Sequence, residues 1–213
     1  MFETINLTIF IVSGLLLNIT PGADVLYITS RSASQGTRAG IIAALGIGTG
    51  GIVHILFATF GLSAILATSA LAFTIVKLAG AGYLIYLGIT ALLALRTKPN
   101  TNTETIAVPS LANNRIFRQA ILVNVLNPKV ALFFLAFLPQ FVAPHATHPA
   151  LAFLFLGCLF NVNGTIVNIL FAVSSAQIAS RVKRGSFLPT LLKTGVGTLF
   201  VWLGLRLAIS AQR

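Results

Sequence analysis

Six long apolar runs determine what this chain can fold into. Each run is about 20 residues long or longer and predominantly apolar, which is the length that a helix needs to cross the hydrocarbon core of a bilayer. Because lipid offers no partner to an open sheet edge, and because the runs are continuous rather than alternating, they predict transmembrane helices. The predicted spans are Phe2–Ser30, Ala39–Ala67, Leu71–Ala94, Ala120–Val142, Ala150–Ala176 and Leu191–Ser210.

The composition also indicates an integral membrane protein. Of the 213 residues, 56% are hydrophobic and only 8% are charged, whereas a soluble domain carries about 25% charged residues. The net charge of +11 does not predict a nucleic-acid partner, because the basic residues lie in short loops between the apolar runs. Cys158 is the only cysteine, which excludes an internal disulfide, a thiol redox pair and a thiolate zinc site. We expect neither a metal site nor a cofactor.

Lysine and arginine residues are confined to alternate loops. The loops after the first, third and fifth runs contain them, and the loops after the second and fourth runs contain none. By the positive-inside rule the basic loops face the cytoplasm, so both termini are predicted to lie outside. An odd number of spans, with one terminus inside, is the main alternative. The basic loop residues are Arg31, Arg38, Arg96, Lys98, Arg115, Arg118, Arg181, Lys183 and Arg184.

The first and fourth runs are interrupted in their middle. In the first run the interruption is Thr20–Asp24, where Pro21 removes a backbone donor and Gly22 weakens the helix. In the fourth run it is Asn124–Lys129, which contains a further proline and the opposite charge. Broken spans in corresponding positions of two halves are typical of a transporter, with the binding site between the breaks. The sequence therefore predicts a small membrane exporter.

The two halves of the chain resemble each other. Gly50–Ala58 aligns without gaps to Gly164–Ala172 and differs at two positions, one of which places His54 opposite Asn168. Because each half has three spans, the second copy must be inverted in the membrane. We therefore predict an all-α polytopic membrane protein of six transmembrane helices, built as two inverted three-helix repeats with broken first and fourth helices. The repeats are residues 1–95 and 118–213, and residues 96–117 form a cytoplasmic linker.

The two breaks have the chemistry to bind a zwitterion. A broken helix exposes N–H groups at one half-helix end, which attract a carboxylate, and C=O groups at the other end. These carbonyls, together with the Asp24 carboxylate, are expected to attract an ammonium group. Lys77 in the third span is a further candidate, although its side chain can instead snorkel to the outer surface. The predicted substrate-binding residues are Asn18, Thr20, Pro21, Gly22, Asp24, His54, Asn124, Asn127, Pro128, Lys129 and Asn168.

Two residues are candidates for proton coupling. Asp24 is the one carboxylate in the interior of a predicted span, because Glu3 lies at the N-terminus, so a substrate ammonium and a proton would compete for it. His54 is the rival carrier, because the unperturbed pKa of histidine lies near physiological pH. The structural alternatives are that Asp24 pairs with Lys129 and holds the breaks together, and that His54 is a hydrogen-bonded interior histidine. Gly46 and Gly50 form a GxxxG pattern, which predicts close helix packing or a homodimer rather than a nucleotide loop.

These motifs resemble the lysine exporter family, in particular its homoserine/threonine-resistance branch. The resemblance covers nearly the whole chain. It rests on the broken first span through Tyr27, on Lys77–Leu84, and on the stretch from Asn127–Lys129 to Phe141. It implies export of amino acids or close derivatives from the bacterial cytoplasm across the inner membrane, driven by proton antiport. Neutral zwitterions such as homoserine, threonine or branched-chain amino acids are the favoured substrates.

Two other function classes remain open at this point. Metal-cation efflux is one alternative, but the interior of the spans contains a single carboxylate and no cluster of cysteine or histidine residues. A membrane-embedded redox enzyme is the other, but a thiol-disulfide carrier needs two cysteines. An exporter that is not an enzyme therefore fits the residues best.

Overall fold

The computed structural model describes residues 3–68, 110–143 and 146–179, together with scattered positions between 71 and 93. This part of the chain is helical, apart from one antiparallel bridge between Thr4 and Val142. It contains several apolar helices, as the sequence predicted. Most of the predicted third span, including Lys77, and the whole of the predicted sixth span lie outside the described residues.

The first and fourth spans are each broken into two helices, as predicted. Helix α1 (Leu7–Ile19) meets α2 (Ala23–Gln35) at an angle of 51°. After α3 (Thr37–Leu56), a π-helical segment (Phe57–Leu62) and α4 (Ser63–Thr68), the fourth span consists of α5 (Asn113–Val125) and α6 (Pro128–Ala136). A 3₁₀ turn, Leu138–Phe141, extends α6, and the two parts of this span are bent by 46°. The fifth span is the single helix α7 (Pro149–Ala179).

The described helices provide up to four membrane crossings by length and composition. The stretches Thr37–Ile65 and Pro149–Ala176 each suffice alone, and each bent pair forms one further span. The fourth span begins at Asn113, seven residues before the Ala120 expected from hydropathy, because its first two turns are polar and amphipathic. The π-helical segment also had no sequence signal. Such segments often occur near functional sites, and this one begins three residues after His54.

Helix α3 lies at the centre of the described bundle, and its glycines permit close contacts. A Cβ atom placed on Gly46 would lie 2.6 Å from the Ala120 Cβ and 2.6 Å from the Phe117 carbonyl oxygen of α5. A Cβ atom on Gly50 would lie 2.8 Å from the Asn124 Cβ. The Gly46–Gly50 pattern therefore packs α3 against α5 within the chain, which confirms the packing interpretation of the GxxxG pattern.

Two hydrophobic clusters lie on either side of the breaks. Towards the end of the bundle that contains the N-terminus, the cluster is built mainly from phenylalanines; we call it the aromatic core. Towards the other end, the cluster is built from alanine and isoleucine; we call it the alanine core. The phenylalanines of the aromatic core are Phe10, Phe133, Phe134, Phe137, Phe141, Phe153 and Phe160. The alanine core contains Ile28, Ala39, Ala43, Ala44, Ile47, Ile116, Ala120 and Ala172.

Hydrogen bonds tie loops together at both ends of the bundle. At one end, the Glu3 carboxylate accepts bonds from Thr147 N and Oγ1 at 3.0 and 2.7 Å and from His148 N at 2.9 Å. These donors lower the pKa of Glu3 to about 2. At the opposite end, Gln35 Nε2 donates to Leu111 O at 2.9 Å, and Leu111 N donates back to Gln35 Oε1 at 3.0 Å. The N-terminal segment and the turn at Gly36 therefore lie at opposite ends. Arg31 at the end of α2 and Arg38 at the start of α3 flank this turn, and we call its end of the bundle the arginine-bearing end.

Candidate functional site

The first break exposes carbonyl groups, and a lysine from the second break occupies two of them. Helix α1 ends at Ile19, and Pro21 and Gly22 separate it from α2. Lys129 Nζ donates to Leu17 O and to Thr20 O, both at 2.7 Å. The carboxyl end of a helix is the negative end of its dipole, so a cation is stabilised there. The ammonium that these carbonyls attract is thus part of the chain, which corrects the expectation that they are free for a substrate.

Local sequence directs the Lys129 side chain towards the first break. Asn127 is the N-cap of α6, and its Oδ1 accepts a hydrogen bond from Lys129 N at 3.0 Å. Pro128 occupies the first turn, where the missing N–H has no cost. A Cβ atom on Gly22 would lie 3.3 Å from Lys129 Cδ, so the glycine leaves room for the lysine.

Asp24 and Lys129 do not form the direct ion pair that was one of the predicted alternatives. Asp24 lies in the first turn of α2, where the positive end of the helix dipole stabilises a carboxylate. Its Oδ2 accepts a hydrogen bond from Asn124 Nδ2 at 3.0 Å. The breaks are therefore held together by separate contacts, from Lys129 to helix carbonyls and from Asn124 and Asn127 to Asp24. The two backbone carbonyls already accept hydrogen bonds from the Lys129 ammonium, so the ammonium is stabilised without a direct bond to the carboxylate.

His54 reaches the same asparagine from the other side. Its Nε2 lies 3.0 Å from Asn124 O, and because a carbonyl oxygen only accepts, Nε2 must donate. The His54 side chain is 8% exposed, and its ring centroid is 5.8 Å from that of Phe134. His54 is thus an interior, hydrogen-bonded histidine. Asn124 connects it to Asp24, so both candidates for proton coupling contact one residue.

Two small cavities lie beside Asp24. Their volumes are about 30 and about 20 Å³, enough for one or two water molecules each. Asn18, Asp24, Asn168, Val130 and Phe160 line both cavities. The larger one extends along α3 and α7, and the smaller one extends to Lys129. The space between the breaks is therefore polar and nearly closed.

Four buried polar atoms around these cavities make no hydrogen bond of standard geometry in the described part of the chain. Two of them are close to each other, because the Asn127 side chain interacts with the Asp24 carboxylate. Two are acceptors, Asp24 Oδ1 and Asn124 Oδ1, and two are amide donors, Asn18 Nδ2 and Asn127 Nδ2. The amide orientations of Asn124 and Asn127 follow from their other contacts, since one donates to a carboxylate and the other accepts from a backbone N–H. Buried polar atoms are rarely left unpaired, so water molecules in the cavities or a bound ligand supply the missing partners.

The structure brings most of the predicted site residues together. Asn18, Gly22, Asp24, Asn124, Asn127, Lys129 and Asn168 line one or both cavities. Thr20, Pro21, Pro128 and His54 are at or next to the breaks but line neither of these cavities. Lys77 is outside the described residues.

Sequence reasoning missed further lining residues on α3, α6 and α7. On α7 a signal was present, because Asn161, Thr165 and Asn168 recur at the spacing of one helix face. For the glycines and phenylalanines no sequence signal distinguished the lining residues from ordinary packing residues. The missed residues include Gly48, Gly51, Phe134, Phe160, Gly164 and Thr165.

The chain is similar to known membrane proteins, several of which are named for efflux. A family model described as LysE type translocator matches residues 15–211. An uncharacterized membrane protein of Pseudomonas aeruginosa is 31% identical over 89% of this chain and 88% of its own length. The homoserine/homoserine lactone efflux protein of Salmonella typhimurium is 34% identical over 93% of this chain and 94% of its own. The leucine efflux protein of Salmonella choleraesuis is 29% identical, with 97% and 96% covered. No solved structure matches.

Proposed function

Because the chain belongs to the LysE type translocator family, we propose that it is a secondary exporter of small neutral amino acids or close derivatives. Membership confirms the resemblance seen in the motifs. Relatives named for homoserine and leucine efflux agree with the homoserine/threonine-resistance branch. Export then proceeds from the bacterial cytoplasm across the inner membrane, and the chain acts as a transporter rather than as an enzyme.

The single observation that carries this proposal is the set of four unpaired polar atoms between the breaks. The two acceptors, Asp24 Oδ1 and Asn124 Oδ1, match the ammonium group of an amino acid. The two donors, Asn18 Nδ2 and Asn127 Nδ2, match its carboxylate. A zwitterion satisfies all four atoms, whereas an apolar solute satisfies none of them.

Substrate binding requires the bent spans to separate. Cavities of about 30 and 20 Å³ are too small for an amino acid. The aromatic core lies between them and the end of the bundle that contains the N-terminus, and it includes a stacked pair with ring centroids 4.5 Å apart, Phe133 and Phe160. The alanine core at the other end presents smaller side chains. We therefore expect the site to open towards the arginine-bearing end more readily than through the aromatic core.

The inverted repeat and the orientation are part of the same proposal. The similar bends of 51° and 46° in the first and fourth spans support two repeats of three spans, residues 1–95 and 118–213, joined by residues 96–117. The arginine-bearing end is assigned to the cytoplasm by its charge, with both termini outside. A reporter fused to the C-terminus and active only in the cytoplasm would contradict this orientation. A homodimer stays a prediction.

Proton coupling is assigned to Asp24. Asp24 lines both cavities. One oxygen of its carboxylate accepts from Asn124 and the other makes no hydrogen bond of standard geometry, so a proton and a substrate ammonium compete for the same atom. Exchange of one for the other is the logic of antiport. His54 is engaged with Asn124 O and does not line the cavities, so its role is to position Asn124.

The test is export of labelled amino acids from loaded cells, with and without a proton uncoupler. Wild-type protein is expected to export small neutral amino acids, and the uncoupler is expected to stop this export. Asp24→Asn should abolish gradient-driven export while the protein still inserts. His54→Asn, which copies Asn168 of the other repeat, should keep partial activity. Wild-type export rates and normal pH response in Asp24→Asn would make Asp24 a structural residue and refute this mechanism.

A further inference from the structure

We propose that Lys129 is the residue that excludes cationic amino acids, so that the transporter selects zwitterions without a side-chain charge. This inference rests on the proposed function and adds a selectivity role to a residue of the same site. It follows from two features of the described residues. One is the occupation of the free helix carbonyls by Lys129, and the other is the charge balance around the cavities.

The Lys129 ammonium takes the position that a second substrate ammonium would seek. The carbonyls of Leu17 and Thr20 are the negative end of α1, and each accepts a 2.7 Å bond from Nζ. The lysine is held there by the cap at Asn127 and has room beside Gly22. A substrate such as lysine therefore meets a site whose place for a cation is already filled by the protein.

The balance of charges in the site also disfavours a cationic substrate. Asp24 and Lys129 line the smaller cavity, and no other ionisable side chain among the described residues lines either cavity. The two charges balance, and a neutral amino acid adds no net charge. A cationic amino acid adds one positive charge that no group in the site neutralises. Like charges placed together in a low-dielectric site repel strongly, so binding of the cation is disfavoured.

The first experiment compares matched substrates on the wild-type protein in loaded cells. Lysine is compared with norleucine, and ornithine with norvaline, because each pair has a similar length and differs by the side-chain ammonium. We expect the cationic member to be exported at about one tenth of the rate of the neutral member, or at a lower rate. Equal export of both members would overturn the role of Lys129 while leaving amino-acid export intact. Export of neither member, nor of any other amino acid, would overturn the proposed function and this inference with it.

The second experiment changes Lys129 itself. Lys129→Gln removes the charge and keeps an amide donor for the helix carbonyls, and Lys129→Arg is the matched control that keeps the charge. We expect the ratio of lysine to norleucine export to rise about tenfold or more in the glutamine variant and to stay low in the arginine variant. Because this is a ratio within one variant, the amount of inserted protein cancels.

An unchanged ratio in the glutamine variant, or an equal rise in both variants, would refute the inference. If neither variant inserts in the membrane, the comparison of matched substrates on the wild-type protein decides the question alone. A role of Lys129 that was only structural would lower export of lysine and norleucine together, and the ratio would not move.

Discussion

Replacing Gly46 by alanine tests the close contact between α3 and α5. The new methyl group would lie 2.6 Å from the Ala120 Cβ and 2.6 Å from the Phe117 carbonyl oxygen. Carbon atoms in favourable contact are about 3.5–4.0 Å apart, so the two helices must separate by roughly 1 Å. The carbonyl belongs to the backbone of α5 and cannot rotate away. Because α5 carries Asn124 one turn beyond Ala120, the same displacement reaches the site.

The expected change in the free energy of unfolding of Gly46→Ala is the sum of two opposing effects. Overpacking of this kind costs about 1–3 kcal/mol, and the exchange of glycine for alanine within a helix gains up to about 1 kcal/mol. Gly61→Ala is the matched control in the same span, because its nearest neighbour would be Phe57 Cδ1 at 3.9 Å, an ordinary contact. Gly61 lies in the π-helical segment, where the backbone is also helical, so the gain is of the same order in both variants. Their difference in the free energy of unfolding is then mainly the overpacking, about 1–3 kcal/mol.

The assay is thermal unfolding of the detergent-purified variants, followed by the loss of the monodisperse peak in size-exclusion chromatography. At about 2–4 °C per kcal/mol for a chain of this size, Gly46→Ala should unfold roughly 2–12 °C below Gly61→Ala. We also expect Gly46→Ala to export more slowly than Gly61→Ala. Equal unfolding temperatures of the two variants would refute the close approach of α3 and α5.

Three further predictions concern single contacts. Asn124→Ala removes the hydrogen bond to Asp24, and because bonds to charged groups contribute about 1.5–3 kcal/mol, export should fall about tenfold or more at equal expression. For Glu3, whose pKa is lowered to about 2 from 4.5, the stabilisation is present above pH 4.5 and is lost as the pH falls towards 2. The difference in unfolding temperature between wild type and Glu3→Gln should therefore be constant above pH 5 and shrink below pH 4.5. Tyr27→Phe loses the hydroxyl bond to Ile116 O at 3.1 Å, so its free energy of unfolding should fall by about 0.5–1.5 kcal/mol without a change in the lysine-to-norleucine ratio.

Much of the fold could be predicted from local pattern alone. Lipid admits only backbone that satisfies its own hydrogen bonds, so a long apolar run predicts a helix whatever surrounds it. Proline interrupts such a helix wherever it occurs in the interior, which is why the breaks at Pro21 and Pro128 were predicted at the right residues. The start of α5 at Asn113 was missed because its first turns are polar, and hydropathy does not detect a helix that continues beyond the apolar run.

The site shows where local pattern stops being sufficient. The sequence identified Asp24, Asn124 and Lys129 as unusual residues within apolar runs, because an ionisable or amide group at bilayer depth needs a partner. It did not identify those partners. Lys129 binds the carbonyls of Leu17 and Thr20, which are 112 and 109 positions away along the chain, and it forms no direct bond to the carboxylate.

The sequence by itself thus determined the class of protein, the apolar helices among the described residues and the position of the breaks, since each depends on the free energy of a short segment in lipid. Only the tertiary structure decided which group meets which across the breaks. That choice depends on how closely α3, α5 and α7 approach. A Cβ atom added to Gly46 would lie 2.6 Å from α5, and one added to Gly48 would lie 2.6 Å from α7, so the glycines of α3 set these distances. Hydrogen bonds act over about 3 Å, so a shift of roughly 1 Å between helices is enough to exchange one partner for another.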